Sequence, residues 1–202
     1  MINSRRTAVL VSLTFLSLLA SACGDARELS ATAIVLGIGI DESEGIIDLT
    51  VELSSADTNE AIVMQSRGAA MEACVKDIQL SNYEYLFWGG TAAVVFGDSL
   101  DENNADLYAL YLYHVLGVSG NTPLFRAWEC SASDILKRRF SQAPYTAVGL
   151  SEAMSLEERS ETRENLTLAE RLESSMEEGE QKYAALVTIG DDGHVRLVDL
   201  PQ

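Results

Sequence analysis

The chain has 202 residues, with 14 lysines and arginines against 31 aspartates and glutamates, so its formal net charge is −17 at pH 7. Binding of nucleic-acid phosphates requires concentrated positive charge, and we therefore expect no nucleic-acid partner. The length suits one domain of ordinary size or slightly more than one.

The first residues have the pattern of an export signal. Arg5 and Arg6 precede an uncharged, mostly apolar run from Ala8 to Ala22 that ends in small side chains. A helix over these fifteen residues would rise only about 22 Å, short of the ~30 Å hydrocarbon core of a bilayer. We therefore predict that residues 1–22 are a signal peptide that is removed, rather than a permanent membrane span.

Cys23 follows the small residues directly, as in a bacterial lipoprotein signal, where the thiol receives diacylglycerol and the cysteine becomes the new N-terminus. The commoner pattern has leucine three positions before the cysteine; here that position is Ala20, and Leu19 lies one place further back. The alternative is an ordinary signal peptide that leaves Cys23 as a free thiol. We predict lipidation at Cys23 and a membrane anchor outside the cytoplasm, since two or three acyl chains hold a protein firmly.

The remaining cysteines and the two histidines do not have the spacing of a metal site. Cys74 and Cys130 lie in apolar stretches and are interpreted as small buried side chains, with a disulfide between them as the alternative. His114 and His194 are eighty residues apart. We predict no metal site, no cofactor and no catalytic residues.

A β-hairpin is predicted at the start of the mature chain. Thr32 to Asp41 is a continuous apolar run typical of a strand buried on both faces, and Ile46 to Leu53 is its partner beyond a turn. Gly37 and Gly39 lie inside the first strand, so we interpret them as points where another backbone approaches closely rather than as a phosphate loop.

The middle of the chain alternates helices and strands. Apolar residues at helical spacing predict a helix over Asp57 to Ile78. Tyr83 to Trp88 and Thr91 to Phe96 are predicted to be two strands, or one strand with a bulge. Asp101 to Leu116 begins with acidic residues and is predicted to be a helix, with His114 packed on its apolar side.

The next elements are a strand and a short helix. Pro123 to Cys130 is predicted to be the strand, and Ser133 to Phe140 the helix. This helix ends in the mature chain's only cluster of positive charge, Lys137, Arg138 and Arg139. The cluster is interpreted as a charge match to the helix dipole, with a contact to lipid headgroups or an acidic partner as the alternative.

Composition becomes polar after Phe140. Residues 141–165 are interpreted as a polar linker or an exposed helix. Thr167 to Glu178 is predicted to be a helix, and a terminal hairpin is predicted on either side of Gly190 to Gly193. The predicted class is α+β, with a mixed or mainly antiparallel sheet packed with helices over residues 23–140, followed by a small helix-plus-hairpin element over residues 166–202.

Several of these segments resemble the Ger(x)C family, the C subunits of nutrient germinant receptors in spore-forming bacteria. Members open with a lipidated cysteine, a Trp-Asp-Arg-Arg-Glu-Leu-like segment and a strand ending in Gly-Ile-Asp, although Gly24 stands here where tryptophan is usual. A second block resembles the family's Asn-Thr strand and the start of its Ala-x-Asp-Ile-Leu helix. The matching residues are Asp25, Arg27, Glu28, Leu29, Ala33, Ile34, Val35, Gly39, Ile40 and Asp41, and then Asn121, Thr122, Ala132, Asp134, Ile135 and Leu136.

The resemblance implies a non-catalytic lipoprotein on the outer face of the spore's inner membrane, beside two integral-membrane subunits of the A and B types. Residues 23–140 would be the family's N-terminal domain and residues 166–202 part of a second domain. Family members usually exceed three hundred residues, so we expect this chain to lack their C-terminal domain. Two other classes remain open: a generic extracytoplasmic lipoprotein that binds a small ligand, and a small carboxylate-dependent hydrolase such as a glycosidase.

Overall fold

A computed structural model describes residues 32–54, 60–159, 166–175 and 185–198. Eight strands lie in these ranges: β1 (Thr32–Ser43), β2 (Ile46–Leu53), β3 (Ile62–Gly68), β4 (Tyr85–Phe87), β5 (Ala93–Phe96), β6 (Leu124–Ala127), β7 (Ala185–Ile189) and β8 (Val195–Val198). The α-helices are α1 (Met71–Ser81), α2 (Glu102–His114), α3 (Ala132–Leu136), α4 (Thr146–Arg159) and α5 (Leu168–Ser174). A short 3₁₀ helix spans Trp88–Gly90.

All eight strands belong to one mixed sheet. The strand order is β3-β2-β1-β5-β6-β7-β8, and β4 pairs with β1 outside this path. The central strands β1, β5, β6 and β7 are parallel to one another. β2 and β3 at one edge and β8 at the other are joined to the sheet by antiparallel pairing. The predicted α+β class with a mixed sheet is therefore confirmed.

The predicted N-terminal hairpin is present. β1 and β2 pair antiparallel, with Ser43 opposite Ile46. The two residues of the turn, Glu44 and Gly45, have φ values of 54° and 74°. Two consecutive residues with positive φ match the right-handed twist of the paired strands, which favours this tight connection.

Helices cover both faces of the sheet. Helices α1 and α2 lie on one face, which we call the α1/α2 face, and α3 and α4 lie on the other, the α3/α4 face. Alternate residues of each strand point to the two faces. The α1/α2 face is a continuous apolar core that includes Ile38, Ile40, Leu49, Val51, Cys74, Ile78, Phe96, Ala105, Ala109 and Leu112. The core of the α3/α4 face includes Val95, Phe125, Ala132, Ile135, Leu136, Ala147, Leu150, Met154 and Val187.

The helix predicted over Asp57 to Ile78 is wrong in its first half. Residues Ile62–Gly68 form β3, which pairs with β2 along its whole length, and the helix begins only at Met71. Met64, Gly68 and Met71 have helical spacing in the sequence, but the free edge of β2 offers a ladder of backbone hydrogen bonds that a local pattern does not reveal. Residues 57–59 lie outside the described residues.

Helix α2 agrees with its predicted bounds, but its buried side does not. Asp101 caps the helix by accepting a hydrogen bond from Asn103 N at 2.9 Å. The side that meets the sheet carries Ala105, Ala109 and Leu112. His114 is exposed, so the prediction that it packs on an apolar surface is wrong; its ring lies edge-on to Tyr113, with centroids 4.9 Å apart.

The interpretation of residues 141–165 as a polar linker or an exposed helix is wrong over most of its length, since α4 spans Thr146–Arg159. One side of this helix is buried through Ala147, Leu150 and Met154, so it is part of the core rather than an exposed helix. The predicted terminal hairpin is present as β7 and β8. Because β7 pairs with β6, these strands complete the same sheet instead of forming a separate unit.

A buried arginine fastens α5 to α2. Thr167 caps α5 in a reciprocal capping box with Glu170. The Arg171 side chain is fully buried, and its guanidinium contacts Asp106 at 2.8 Å and Glu102 at 2.9 Å. A buried cation of this kind is stable only when carboxylates surround it, so the C-terminal helix is held in one position.

Candidate functional site

The most unusual chemistry of the described residues lies on the α3/α4 face, where one half-buried and one buried acidic side chain lie under helix N-termini. Asp41, at the end of the apolar run of β1, accepts hydrogen bonds from Ala132 N at 2.8 Å and Ser133 N at 3.0 Å. These are the first backbone N–H groups of α3, which have no partner inside the helix. The carboxylate therefore satisfies both donors and fixes the start of α3 on the sheet.

Glu52 makes the same arrangement with the next helix. One carboxylate oxygen accepts from Thr146 N at 2.7 Å and the other from Ala147 N at 2.8 Å. Glu52 is almost fully buried in β2, where an acidic side chain would otherwise be unfavourable. Its negative charge lies at the positive end of the α4 dipole, which compensates part of that cost.

Glycines in β1 allow the helices to come this close. A Cβ added at Gly37 would lie 2.8 Å from Ala147 Cβ, and one at Gly39 would lie 3.2 Å from Ala132 Cβ. Both distances are shorter than ordinary van der Waals contact. The prediction that another backbone approaches closely is confirmed at Gly39, where the added Cβ would lie 3.3 Å from the backbone carbonyl carbon of Ala132; at Gly37 the nearest atoms belong to side chains, among them that of Ala147 in α4.

The two sequence blocks that carry the family resemblance meet at this place. Gly39 and Asp41 come from the first block, and Ala132 and Leu136 come from the second, more than ninety positions along the chain. The side chain of Gln65 adds a bridge, since it donates to Thr50 Oγ1 at 3.1 Å and to Ser133 Oγ at 2.6 Å. The shared residues therefore form a junction between sheet and helix, which we call the signature junction.

Burial dominates the electrostatics of both acids. It raises the pKa of Glu52, while the hydrogen bonds from Ala147 N and Thr146 N act in the opposite direction. Burial also raises the pKa of Asp41, opposed by the N–H groups of Ser133 and Ala132. Both groups hold a proton more tightly than a carboxyl group in water.

A cleft of about 220 Å³ opens beside Glu52. Its rim carries the three predicted basic residues Lys137, Arg138 and Arg139, whose side chains are exposed, together with Glu60. The predicted helix over Ser133 to Phe140 is shorter than expected, since α3 ends at Leu136, so the three basic residues follow the helix instead of lying in its last turn. The volume is below the ~300 Å³ at which ligand sites usually begin.

The geometry assigns the acids a structural task. Both oxygens of each carboxylate accept helix N–H groups, so neither group is presented to a bound molecule as a free acid or base. Glu52 pairs with Gly37, four residues before Asp41 on β1, which separates the acids by about 13 Å along the strand. That exceeds the roughly 5–9.5 Å of a glycosidase pair.

The remaining candidates are dispersed. Cys74 and Cys130 are free thiols, so the alternative of a disulfide between them is wrong; Cys74 is buried as predicted, whereas Cys130 is only half-buried. Burial raises the pKa of both thiols, which disfavours the reactive thiolate. His114 and His194 are exposed on α2 and in the β7–β8 turn. Cys23, the predicted lipidation site, and residues 1–22 lie outside the described residues.

Metal-ligating groups and membrane-spanning helices are both absent from the described ranges. Residues 32–54, 60–159, 166–175 and 185–198 contain no group of three or more His, Cys, Asp or Glu side chains placed to hold a metal ion. No helix in the same ranges combines the length and hydropathy needed to cross a bilayer.

Sequence reasoning missed the roles of Asp41 and Glu52. The available signal was an acid within an apolar strand run, in "GIGID" and "TVEL". An isolated acid at such a place needs a partner inside the protein. The sequence gives no indication of which helix N-terminus provides it.

Comparison with known proteins agrees with the residues of the signature junction. No curated protein and no solved structure matches the chain. Residues 25–189 match the family described as the spore germination protein N-terminal domain, a range that begins two residues after Cys23 and ends with β7. Because the match covers most of the 202 residues, the chain belongs to this family of spore germination proteins, as a GerC-type N-terminal region.

Proposed function

We propose that the protein is a membrane-anchored, non-catalytic subunit of a nutrient germinant receptor. Acyl chains on Cys23 hold it on the outer face of the cytoplasmic or inner spore membrane. There it works beside integral-membrane subunits of the A and B types. Membership of the spore germination family is the observation that carries this proposal.

The start of the matched region supports the anchor. The family domain begins at residue 25, two residues after the cysteine that follows the apolar, uncharged segment Ala8 to Ala22. Each buried methylene of an acyl chain contributes about 0.8 kcal/mol, so two or three chains give stable attachment where one is marginal. An acidic surface repels anionic headgroups, and attachment through the acyl chains does not depend on surface charge.

The anchor would act by raising the effective concentration of the domain next to its membrane partners. A domain confined to the membrane plane meets integral partners at a far higher effective concentration than a free one. This mechanism requires a stably folded domain and no reacting group. The described fold is suited to it, because Asp41 and Glu52 fasten helices to the sheet.

The two alternative functions receive less support from the geometry. A small-ligand lipoprotein would use the cleft beside Glu52, whose volume of about 220 Å³ leaves little room for a ligand. A carboxylate-dependent hydrolase would need a free acid and base, and the carboxylates of Asp41 and Glu52 are occupied by backbone donors.

The anchor is tested by metabolic labelling with a palmitate analogue. We expect the native protein to be labelled and the Cys23→Ser variant to lose the label. Cys130→Ser is the matched control, because it removes a half-buried thiol and should leave labelling unchanged. Equal labelling of Cys23→Ser and the native protein would refute the anchor.

The receptor role is tested in spores. Deletion of the gene should slow or abolish the response to at least one nutrient, and the native gene should restore it. A gene carrying Cys23→Ser should restore it less well, because the domain is no longer held beside its partners. Deletion spores that respond to every nutrient at the normal rate would contradict the proposal.

A further inference from the structure

Three apolar side chains form an exposed patch at the start of β1, which we call the aromatic patch. Its members are Ile34 of β1 and Tyr85 and Phe87 of β4, with exposed fractions of 40%, 48% and 49%. The two strands are paired, and Ile34 and Phe87 both lie within 4 Å of the Cβ position of Gly90, so their side chains are neighbours on one surface. Leu86, between the two aromatic residues, points the other way and is buried in the core.

Two glycines give the patch its shape. A Cβ at Gly89 would lie 2.8 Å from Phe87 Cζ, and a Cβ at Gly90 would lie 2.5 Å from Ile34 Cγ2. Any other residue would push these side chains away from the backbone of the 3₁₀ helix. Phe87 and Ile34 therefore lie against the two glycines as a continuous apolar surface.

The surrounding sequence is rich in aromatic residues and poor in charge. Four of the chain's 14 tyrosine, phenylalanine and tryptophan residues fall within the six positions from Tyr83 to Trp88. Glu84 is the only charged residue among them, although 22% of the chain is charged. Tyr83 is fully exposed beside the patch. Tyrosine and tryptophan are enriched where proteins meet the membrane–water interface.

The patch lies at the end of the sheet to which the N-terminal chain leads. Nine residue steps separate Cys23 from Thr32, the first residue of β1, and such a segment spans at most about 30 Å. Ile34 follows two residues later. Trp128 follows the end of β6, which runs parallel to β5 and β1, so it lies at the opposite end of the parallel strands.

We propose that the aromatic patch rests in the headgroup–acyl boundary of the membrane that holds the protein. The position of the patch relative to the bilayer rests on the proposed anchor at Cys23. The partner is the lipid surface rather than a protein, because a short tether keeps this end of the sheet next to lipid whichever subunits are present. Contact at this boundary would fix the orientation of the domain on the membrane.

Quenching of tryptophan by brominated lipid tests the contact. The chain contains two tryptophans: Trp88, 7% exposed and next to Phe87, and Trp128, 41% exposed at the opposite end. The full lipidated chain is reconstituted into phosphatidylcholine vesicles with or without bromine on the acyl chains. With Trp128→Phe, we expect bromine to reduce Trp88 emission; with Trp88→Phe, we expect Trp128 emission to be unchanged.

Substitutions in the aromatic patch provide a second test of the membrane contact. Phe87→Ser and Ile34→Ser, each in the Trp128→Phe background, should lose the quenching of Trp88. Leu107→Ser is the matched control, because Leu107 is an exposed apolar residue on α2, away from the patch, and quenching should persist. Circular dichroism identifies the variants that fold. If a patch variant does not fold, quenching of Trp88 in the Trp128→Phe chain tests the proposal by itself.

The possible outcomes separate the patch from the anchor. Chains that float with the vesicles without quenching of Trp88, or with equal quenching of both tryptophans, overturn the patch and leave the anchor intact. If the chain does not float, the anchor fails. The patch is then tested with the Cys23→Ala chain held on nickel-chelating lipid by an N-terminal histidine tag, where absence of Trp88 quenching overturns it.

Discussion

On the α1/α2 face, large apolar side chains such as Ile38, Ile40 and Phe96 pack against helices whose buried sides are also apolar. On the α3/α4 face, β1 and β2 present Gly37, Gly39, Asp41 and Glu52 to the helices instead. Cohesion on the first face is spread over many contacts of similar size. On the second face an apolar core is supplemented by two carboxylates and by the glycines that allow the helices to reach them.

The two faces therefore differ in how much stability a single substitution costs. Removing one methyl group from a densely packed apolar core lowers the free energy of unfolding by a moderate amount. A buried acid that satisfies two backbone donors has no substitute if it is removed. The residues of β1 and α3 that resemble the family, such as Gly39, Asp41 and Ala132, lie on the α3/α4 face. The family resemblance therefore coincides with the contacts that are sensitive to single substitutions.

The largest expected effect comes from Glu52→Ala, which leaves the N–H groups of Thr146 and Ala147 buried without an acceptor. Each unsatisfied buried donor costs about 1–3 kcal/mol, so we expect the two to lower the free energy of unfolding by roughly 2–6 kcal/mol. Urea unfolding followed by circular dichroism measures it. Glu60→Ala is the control, because this exposed acid lines the same cleft and should cost less than about 0.5 kcal/mol. Similar losses in the two variants would show that Glu52 does not hold α4.

A smaller effect is expected when one methyl group is added on the α3/α4 face. Gly37→Ala places a Cβ 2.8 Å from Ala147 Cβ and should cost about 1–3 kcal/mol through overpacking. The matched change on the other face is Ile38→Val, which removes one methyl group from the apolar core and should cost about 0.5–1.5 kcal/mol. Thermal and urea unfolding of both variants compare the faces directly. A larger loss in Ile38→Val than in Gly37→Ala would reverse the comparison.

The smallest effect concerns pH. The pKa of Glu52 is raised above its ordinary value of 4.5, so the folded state binds the proton more tightly than the unfolded state. This group's contribution to stability is therefore complete below pH 4.5 and is lost as the pH rises through the folded-state pKa. Glu52→Gln removes the titration, and we expect the stability difference between native protein and variant to widen as the pH falls from 7 to 4.5.

Urea unfolding at several pH values measures this difference, with Glu60→Gln as the control for an exposed carboxyl group. A difference that narrows on acidification would mean that the helix N–H groups outweigh burial and keep Glu52 ionised.

Much of the sheet could be predicted because its strands carry local signals. The hairpin of β1 and β2 follows from an apolar run, a turn and an alternating run, and the helix after Asp101 follows from its cap. In β3, by contrast, Ile62–Gly68 carries apolar residues at helical spacing, and only the unpaired edge of β2 makes it a strand. That edge is a property of the assembled sheet and not of the segment.

The signature junction was less predictable for a related reason. Gly39 and Asp41 could be recognised as unusual members of a strand, but their partners Ala132 and Ser133 lie far along the chain. The distance of α4 from β2 in the sequence likewise hid the partner of Glu52, and the polar composition of residues 141–165 suggested a linker. Buried polar contacts between distant segments have no periodic pattern, so they become visible only in the folded structure.

The proposed receptor role depends on attachment of the folded domain to a membrane through Cys23. Mass spectrometry of the N-terminal peptide from protein isolated from spores tests this attachment. We expect a peptide that begins at Cys23 and carries diacylglycerol on the sulfur. A peptide in which Ala22 is still joined to Cys23, or a peptide that begins at Cys23 without lipid, would contradict it.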